Sequence, residues 1–572
     1  MADANEPAAA ELYRLGASQR QRAQYADAER SLLRALELSH DFPGVHFELG
    51  LTYREQGKFE DAADYFQLAV HFAPATAAAS FALGDALAKL ARIDSAIAAY
   101  RDGLAHDARN SAAWLELGNL LKSTGQQSDA IDCYRCAADC EPTSENAHCR
   151  LGYALYKAGR YAESRASFDA ALALRPDMVE ARHNLSLLLL ETGHADEALA
   201  GFQQVLAANP EILESRACVA HALRDLGRLD EAIAYYDEVI AADPQFTDAV
   251  INRSYALLMK GDYAAGWGAY EQRFSSGALA ARDFPYPPWR GEPLAGKRIL
   301  VYAEQGIGDE IMFASCLPDL LRLTGDCVIE CNTRLAALFR RSFPQAQVHG
   351  GNKTDGKSWV HKLPPVDWQI SIGTLPRHFR VVRAEFPAHH GYLKADAARR
   401  AFWRTQLAVA PALRVGIAWR GGTLHSRQHI RSTTLSQWQP VLRGAGAAFY
   451  ALQYGDIGAE LDALHDQSGV NVYRLGSAVD DMDELAAIIC ELDLVISIDN
   501  TVAHLAGALG KPVWTLLPCS PEWRYPRGGD DMPWYPSMRL FRRDRGEGWE
   551  PVFARVAREL AGVPRVGDES HA

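Results

Sequence analysis

The sequence has no excess of basic residues and no long apolar run. Among its 572 residues, 59 are Lys or Arg and 72 are Asp or Glu, which gives a formal net charge of −13. A chain this acidic is not expected to offer a broad surface to nucleic acid or to anionic membranes. No segment approaches the roughly 18 consecutive apolar residues of a membrane-spanning helix. The first residues show no basic stretch followed by an apolar core, so we predict no signal peptide.

Cysteine is also scarce. Ten cysteines in a chain of this length do not have the density of a secreted disulfide framework, which makes the cytoplasm the expected location. Cys133, Cys136 and Cys140 are spaced to share one face of a helix. They can form a thiolate zinc site or pack as small apolar side chains. We favour packing, because zinc-binding thiolates usually lie on turns.

The sequence does contain a repeat, which runs from residue 9 to residue 274. A small residue recurs at a constant interval, at Gly16, Gly50, Gly84, Gly118 and Gly152. A large apolar or aromatic residue recurs at the same interval, at Leu32, Phe66, Tyr100, Tyr134, Phe168, Phe202, Tyr236 and Tyr270. Small residues let two antiparallel helices approach, the aromatic residue is expected to fill the gap to the next unit, and prolines such as Pro74 and Pro142 end the second helix.

This period and pattern resemble the tetratricopeptide repeat, in eight copies over residues 9–274. The resemblance implies an α-solenoid whose groove binds a peptide or a partner protein. Asn184 and Asn252 share one column of predicted groove positions. That column is similar in part to the asparagine ladder of the eukaryote-style protein O-linked N-acetylglucosamine transferases.

The second half of the chain has a different pattern. Residues 275–297 are a proline-rich connector, and aromatic residues such as Trp289 predict that it packs against its neighbours. Short apolar runs then alternate with helical patterns, which predicts an α/β module of two Rossmann-like domains. We place these domains at residues 298–395 and 396–562, followed by a tail over 563–572. Strands are predicted near residues 298–302, 327–331, 368–372, 413–419, 448–453, 470–475, 494–498 and 513–517.

Three segments of this module are candidates for a functional site. The first follows an apolar run and contains Gly306, Gly308 and Asp309. A strand, a glycine turn and a helix in this order are typical of nucleotide-handling domains. Asp309 can cap the helix or act as a general base that deprotonates an acceptor hydroxyl.

The second segment is a predicted strand that ends in Arg420, Gly421 and Gly422, and His425, Arg427, His429 and Arg431 follow. Backbone amides and an arginine can hold a diphosphate here, or the loop can be a solvated turn.

The third segment is a predicted buried strand that delivers Asp499, Asn500 and Thr501 to the start of a helix, with His504 about one turn further on. Amides, a hydroxyl, an imidazole and the helix dipole then surround one predicted anion site. Packing alone explains this combination poorly.

The third segment, D-L-V-I-S-I-D-N-T-V-A-H-L-A-G-A-L-G-K-P, resembles the C-terminal signature of the heptosyltransferase-like glycosyltransferases. The first segment, A-E-Q-G-I-G-D-E-I, is similar to their N-terminal glycine turn. The resemblance covers roughly residues 297–560. It implies a GT-B fold, inversion at the anomeric carbon and no obligatory metal or other cofactor. It also assigns the base to Asp309 and the donor diphosphate to the segment that contains His504.

The chain departs from that family at two places. Asp499-Asn500-Thr501 stands where the family commonly has Asp-Thr-Gly. The lysine that the family often has after the second glycine loop, here the loop with Gly421 and Gly422, is missing. Arg420, Arg427 or Arg431 can replace that lysine.

We therefore expect a cytoplasmic hexosyl- or N-acetylglucosaminyl-type transferase that uses a nucleotide-sugar donor and a protein acceptor chosen by the repeats. The alternative is a catalytically inactive scaffold that works through its repeats. The aromatic and arginine residues between 518 and 545 are expected to form a lid.

Overall fold

The structure, a computed structural model, consists of helix pairs followed along the chain by two mainly parallel β-sheets. It describes residues 6–40, 42–275, 279, 282, 284–351, 356–407, 413–422, 427–444 and 446–563. The chain divides into two units, Met1–Leu188 and Leu189–Ala572. The division falls inside the predicted array of residues 9–274, so the last repeats share a unit with the sheets.

The first unit is built from helix pairs. Its helices are α1 (Glu6–Gln21), α2 (Tyr25–Leu38), α3 (Pro43–Glu55), α4 (Phe59–Phe72), α5 (Ala77–Lys89), α6 (Ile93–His106), α7 (Ser111–Ser123), α8 (Gln127–Cys140), α9 (Glu145–Lys157) and α10 (Tyr161–Leu174). Helix α11 (Val179–Glu191) crosses the division between the units. The second helices of successive pairs begin at the same interval as the recurring glycines, at Tyr25, Phe59, Ile93, Gln127 and Tyr161, which confirms the predicted period.

The recurring glycines and aromatics pack against each other inside one pair. A Cβ added at Gly50 would lie 2.5 Å from the ring of Phe66, and one at Gly118 would lie 2.6 Å from the ring of Tyr134. Each aromatic ring therefore lies against the glycine of its own repeat, whereas the sequence pattern led us to place it in the gap to the next. Replacing such a glycine would force the two helices apart.

The face of α8 with the three cysteines, for which we favoured packing over zinc binding, lies partly in this core. Cys133 is buried, while Cys136 and Cys140 are half-buried. Burial raises the pKa of the Cys133 thiol to about 11, which favours the protonated form over a metal-binding thiolate. Within the part of the chain that the structure describes, no group of His, Cys, Asp and Glu is placed to hold a metal ion.

The second unit begins with the remaining repeat helices α12 (Ala195–Ala208), α13 (Leu213–Asp225), α14 (Leu229–Ala242), α15 (Thr247–Lys260), α16 (Tyr263–Tyr270) and α17 (Gln272–Ser275). Trp267 of α16 is 2% exposed and donates through its indole N–H to the carbonyl of Arg380 at 3.0 Å. The last repeat is therefore packed into the α/β part of this unit.

The first sheet is parallel, with strand order β3-β2-β1-β4. Its strands are β1 (Arg298–Tyr302), β2 (Asp326–Asn332), β3 (Ala346–Gly351) and β4 (Trp368–Ser371), and its helices are α18 (Ile307–Phe313), α19 (Leu317–Leu323), α20 (Ala336–Ser342) and α21 (Pro376–Phe379). Leu300 and Val301 of β1 are buried, since β1 lies between two other strands. The sequence did not predict β3.

The described part of the connector lies along the edge strand β4. Phe284 and Trp289 are buried, and the side chain of Gln369 donates to the carbonyls of Phe284 and Tyr286. The backbone N–H of Trp289 donates to the carbonyl of Gln369 at 2.8 Å. These bonds cover part of an otherwise open sheet edge. Residues 276–278, 280, 281 and 283 lie outside the described residues.

The second sheet has strand order β10-β11-β9-β8-β5-β6-β7. Its strands are β5 (Leu413–Ala418), β6 (Ala447–Ala451), β7 (Val472–Tyr473), β8 (Leu494–Ile498), β9 (Val513–Leu517), β10 (Asp531–Met532) and β11 (Tyr535–Arg542). Its helices are α22 (Ala397–Gln406), α23 (Gln428–Arg431), α24 (Gln439–Gly444), α25 (Gly458–Ser468), α26 (Met482–Glu491), α27 (Thr501–Ala508) and α28 (Glu550–Ala561). All pairings are parallel except that of β10 with β11.

The lid predicted between residues 518 and 545 is wrong for its C-terminal part. Residues 535–542 form β11, which pairs in parallel with β9, and Tyr535 is fully buried. Leu540 and Phe541 are neighbours in this strand and therefore point to opposite faces, yet both are buried, so the arginines at 539 and 542 belong to a strand that is packed on both faces. In the part of the chain that the structure describes, no helix has the length and apolarity needed to cross a membrane. Residues 564–572 of the predicted tail lie outside the described part.

Candidate functional site

Two loops that follow parallel strands face each other across one cavity. One loop leads from β1 of the first sheet into α18, and the other leads from β8 of the second sheet into α27. The cavity has a volume of about 350 Å3. It is lined by Gly306, Ile307, Gly308, Asp309, Gly422, Arg431, Tyr454, Asp499, Asn500, Thr501, His504, Glu522 and Arg524. The first and third predicted segments therefore meet, although Asp309 and Asp499 follow strands of different sheets and lie far apart in the sequence.

The turn after β1 owes its shape to Gln305, which the sequence pattern did not single out. Gln305 has a φ of 61°, in the left-handed region that residues with a side chain rarely adopt, whereas Gly306 is extended with a φ of −92°. Gly308 is needed for the space it leaves between the two helices rather than for its φ angle. A Cβ there would lie 3.3 Å from Cδ2 of His504, so glycine lets the start of α18 approach α27.

Asp309 contacts both its own helix and the opposite wall of the cavity. Its Oδ2 accepts the backbone N–H of Gly306 at 3.2 Å, which caps α18. Its Oδ1 accepts Nε of Arg524 at 2.7 Å. A carboxylate has about four lone-pair sites, so these bonds leave Asp309 able to accept a further proton donor from the cavity.

Asp499 lies across the cavity from Asp309 and is almost completely buried. The hydroxyl of Tyr525 donates to its Oδ1 at 2.8 Å, and Nη2 of Arg431 lies 3.1 Å from its Oδ2. Burial acts to raise the pKa of Asp499, but Arg431 and the other positive and polar neighbours outweigh burial and hold that pKa below its usual range. Asp499 is therefore ionised and holds Arg431 in place through an ion pair.

Asn500 is the cap of α27. Its side-chain oxygen accepts the backbone N–H groups of Val502 and Ala503, at 3.0 and 3.2 Å. Its amide also donates to the carbonyl of Arg420 at 3.2 Å, and a Cβ at Gly421 would lie 2.6 Å from Cβ of Asn500. Asn500 thus joins the second glycine loop to the start of α27, while the backbone of Thr501 begins that helix.

His504 is buried beside the cavity. Its Nδ1 lies 3.0 Å from the hydroxyl of Tyr535, and its Nε2 lies 3.9 Å from Oδ1 of Asp499. Burial, which Asp499 opposes only in part, lowers the pKa of His504 to about 4. The imidazole is therefore neutral near pH 7 and can offer a hydrogen bond to a ligand without carrying a charge.

The low pKa of His504 predicts a loss of stability in mild acid. Because the unfolded chain, with the ordinary pKa of 6.5, takes up this proton before the folded chain does, the contribution is complete above pH 6.5 and declines as the pH falls toward about 4. We expect a loss of about 2–3 kcal/mol over that window. Urea unfolding of the full chain at several pH values should show a flatter profile for His504→Gln. The exposed His465 serves as a control, since His465→Gln should leave the slope unchanged.

The second glycine loop reaches the cavity only in part. Gly422, with a φ of 80°, lines it, and Gly421 lies directly behind Asn500. The side chain of Arg420 points elsewhere and pairs with Glu460 at 2.8 Å. Of the three arginines considered as replacements for the missing lysine, the structure brings Arg431 to the cavity. His425 lies outside the described residues.

Arg427 serves the contact between the repeats and the second sheet. It is largely buried, and its Nη1 lies 2.6 Å from Oδ2 of Asp225 in α13. Tyr255 of α15 stacks on Trp523, with ring centres 5.5 Å apart and planes 4° from parallel. The last two repeats therefore lie next to the cavity and hold the loop that carries Arg524.

Sequence reasoning missed Arg524 and Glu522 as site residues. They lie after β9 in a stretch without regular secondary structure, and the pattern E-W-R-Y-P supported only a general expectation of a lid. The available signal was two opposite charges on either side of Trp523, within a loop that follows the carboxyl end of a predicted strand. Such loops carry ligand-binding residues in parallel α/β folds.

Comparisons with known proteins identify the repeats. The family model described as tetratricopeptide repeat matches residues 13–79, 149–211 and 220–278, and the one described as TPR repeat matches residues 118–159. Together with the helix pairs, these matches show that the N-terminal part of the chain contains tetratricopeptide repeats.

One curated relative, Protein FlbA of Caulobacter vibrioides, is 34% identical over 324 residues. The match covers 54% of this chain and 54% of FlbA, so the chain spans about half the length of this relative. Among solved structures, YrrB, described as a TPR protein with an unusual peptide-binding site, is 16% identical with a TM-score of 0.31 and covers 32% of this chain and 95% of YrrB. The C-terminal part of a TPR repeat-containing protein from Cytophaga hutchinsonii is 16% identical with a TM-score of 0.36 and covers 42% of this chain and 98% of that one.

Proposed function

We propose that this protein is an inverting, metal-independent glycosyltransferase of the GT-B type. It would move a hexosyl or N-acetylglucosaminyl group from a nucleotide-sugar donor to a protein in the cytoplasm, and the repeats would select that protein. One observation carries the proposal: the loop with Asp309 and the loop with Asp499 to His504 line the same cavity. In parallel α/β folds, ligands bind at the carboxyl ends of the strands, where both loops lie.

In the proposed reaction, Asp309 on one wall of the cavity activates the acceptor, and groups on the other wall stabilise the leaving diphosphate. Asp309 takes the proton of an acceptor hydroxyl, and the acceptor oxygen forms a bond to the anomeric carbon on the face opposite the leaving diphosphate. The bond between that carbon and the diphosphate breaks, and its electron pair leaves with the phosphate oxygen. The start of α27 and the cations Arg431 and Arg524 are the groups suited to stabilise that charge. Fixed donors of this kind typically contribute about 2–4 kcal/mol each.

A specific observation favours the second candidate, a scaffold without catalytic activity. Both arginines of the cavity already face carboxylates, since Arg431 pairs with Asp499 and Arg524 pairs with Asp309. A buried ion pair of this kind also occurs as a purely structural element. In the scaffold, the repeats would bind a partner protein while this cavity held the loops together.

Calorimetry of the purified full chain against a panel of nucleotide sugars separates the two candidates. The transferase should bind at least one of them with a dissociation constant below the millimolar range, about −4 kcal/mol in free energy. The scaffold should bind none. The panel also identifies the base and the sugar, and mass spectrometry of a co-expressed acceptor would then show transfer.

We expect His504→Ala to weaken donor binding about fivefold. The substitution removes a neutral hydrogen-bonding group from the wall of the cavity, and one such bond typically contributes about 1 kcal/mol. The measurement is the dissociation constant of the nucleotide sugar that the panel identifies. His465→Ala, which changes an exposed histidine, is the control. Equal affinity of the His504 variant and the wild type would remove His504 from the donor site.

A further inference from the structure

A third carboxylate reaches the cavity from the loop that follows β9. Oε1 of Glu522 lies 3.2 Å from Nη1 of Arg431, and its Oε2 lies 3.6 Å from Nη1 of Arg524. One carboxylate is therefore within ion-pair distance of both arginines. A phosphate group that approached the same two guanidinium groups would have to compete with it.

The charges of the described cavity do not favour an anion as they stand. Asp309, Asp499 and Glu522 face two arginines, and the low pKa of His504 keeps its ring neutral. The three carboxylates outnumber the two guanidinium groups, so an incoming diphosphate meets an excess of negative charge. Like charges within a few ångströms repel strongly where solvent is partly excluded.

The three carboxylates differ in the other hydrogen bonds they accept and in how exposed their side chains are. Asp309 also accepts the N–H of Gly306, and Asp499 also accepts the hydroxyl of Tyr525. Glu522 faces the two arginines from an irregular loop, and its side chain is 28% exposed, against 12% for Asp309 and 3% for Asp499. Glu522 is therefore the carboxylate that can move with the least loss of other bonds.

Glu522 also has a place to which its side chain can move. A second cavity of about 200 Å3 adjoins the first and shares Arg431 and Glu522 with it. Helices α13 and α15 of the last two repeats form its other wall. A rotation of the Glu522 side chain toward this second cavity would make donors on Arg431 and Arg524 accessible to a ligand.

We propose that Glu522 sets the affinity of the cavity for diphosphate groups by occupying the two guanidinium groups that such a ligand needs. The inference rests on the proposed function, because a nucleotide diphosphate is the anion that the transferase would bind. Binding would displace the carboxylate, and release of the product would let it return.

The test compares the wild-type full chain with Glu522→Gln, Glu522→Ala and the control Glu559→Gln. Glu559 pairs with Arg539 on the surface of α28, so the control removes the same charge away from the cavity. Calorimetry at low salt, without divalent cations, would use inorganic pyrophosphate and uridine and guanosine diphosphates as probes. We expect both Glu522 variants to bind pyrophosphate about tenfold more tightly than the wild type and the control do.

The outcomes separate this inference from the proposed function. If the wild type binds a probe and neither Glu522 variant binds it more tightly, the role of Glu522 is refuted and the proposed donor site stands. If none of the four proteins binds any probe, the role of Glu522 is refuted, and the proposed function falls with it only when the nucleotide-sugar panel is also negative. Tighter binding by Glu522→Gln alone would show that the new amide forms a bond of its own, and it would also refute the displacement model.

Discussion

Asp309→Asn is expected to abolish sugar transfer and to leave nucleotide-sugar binding in place. An amide cannot take the proton of the acceptor hydroxyl, and loss of a general base typically costs about 10²- to 10⁴-fold in rate. The cap of α18 should survive, because the side-chain oxygen of Asn can still accept the N–H of Gly306. Arg524 loses its ion pair with Asp309 but stays at the cavity, where its charge still attracts the diphosphate.

The matched control for this substitution is Glu310→Gln. Glu310 is the next residue of the same helix and is buried, and its carboxylate accepts the backbone N–H of Asn332 at 2.8 Å without lining the cavity. The turnover number and the donor dissociation constant would be measured for both variants. Transfer at the wild-type rate by Asp309→Asn would refute the assignment of the base, and loss of transfer in both variants would point to a disturbed helix.

The repeats could be predicted because their signal is periodic. A small residue and an aromatic residue recur at one constant interval, so each position is supported by several copies. The residue that each aromatic ring packs against could not be predicted in the same way. Phe66 lies against Gly50 of its own repeat, and only the crossing geometry of the two helices decides between this glycine and the next repeat.

The candidate site could be predicted where strand, turn and helix follow one another. Asp309 and His504 lie in such segments, and the rule that ligands bind at carboxyl strand ends predicts that both face the cleft between the two sheets. Arg420 shows the limit of this reasoning. Its backbone lies in the expected loop, but the choice of Glu460 as its partner depends on the packing of α25, which the local sequence does not specify.

The loop with Glu522 and Arg524 could not be placed from the sequence for a related reason. Irregular segments have no periodicity, and their positions depend on contacts with distant residues. Trp523 stacks on Tyr255, which lies in a tetratricopeptide repeat in the first half of the chain. The repeats thus help to build the cavity, a contribution that neither half of the sequence predicts alone.

Arg273→Met is expected to have the largest effect on stability. Arg273 ends the repeat region, is 1% exposed and donates to the buried carboxylate of Glu304 through Nε and Nη2, at 3.1 and 3.0 Å. Its Nη2 also donates to the hydroxyl of Thr374 at 2.9 Å. Removal of one partner leaves Glu304 as a buried charge without its cation, which typically costs about 3–5 kcal/mol. Urea unfolding of the full chain, followed by circular dichroism, measures the change.

The pH dependence of this variant distinguishes a lost ion pair from a simple packing defect. Burial raises the pKa of Glu304 even in the wild type, where Arg273 opposes that shift, so loss of Arg273 should raise the pKa further. Because the folded chain then holds the proton more tightly than the unfolded chain, Arg273→Met should regain stability as the pH falls toward the ordinary glutamate pKa of 4.5. Arg253→Met, which breaks an exposed pair with Asp237, should cost less than about 1 kcal/mol and show no such recovery. If the loss of unfolding free energy in Arg273→Met does not change with pH, Glu304 is not the buried charge that Arg273 neutralises.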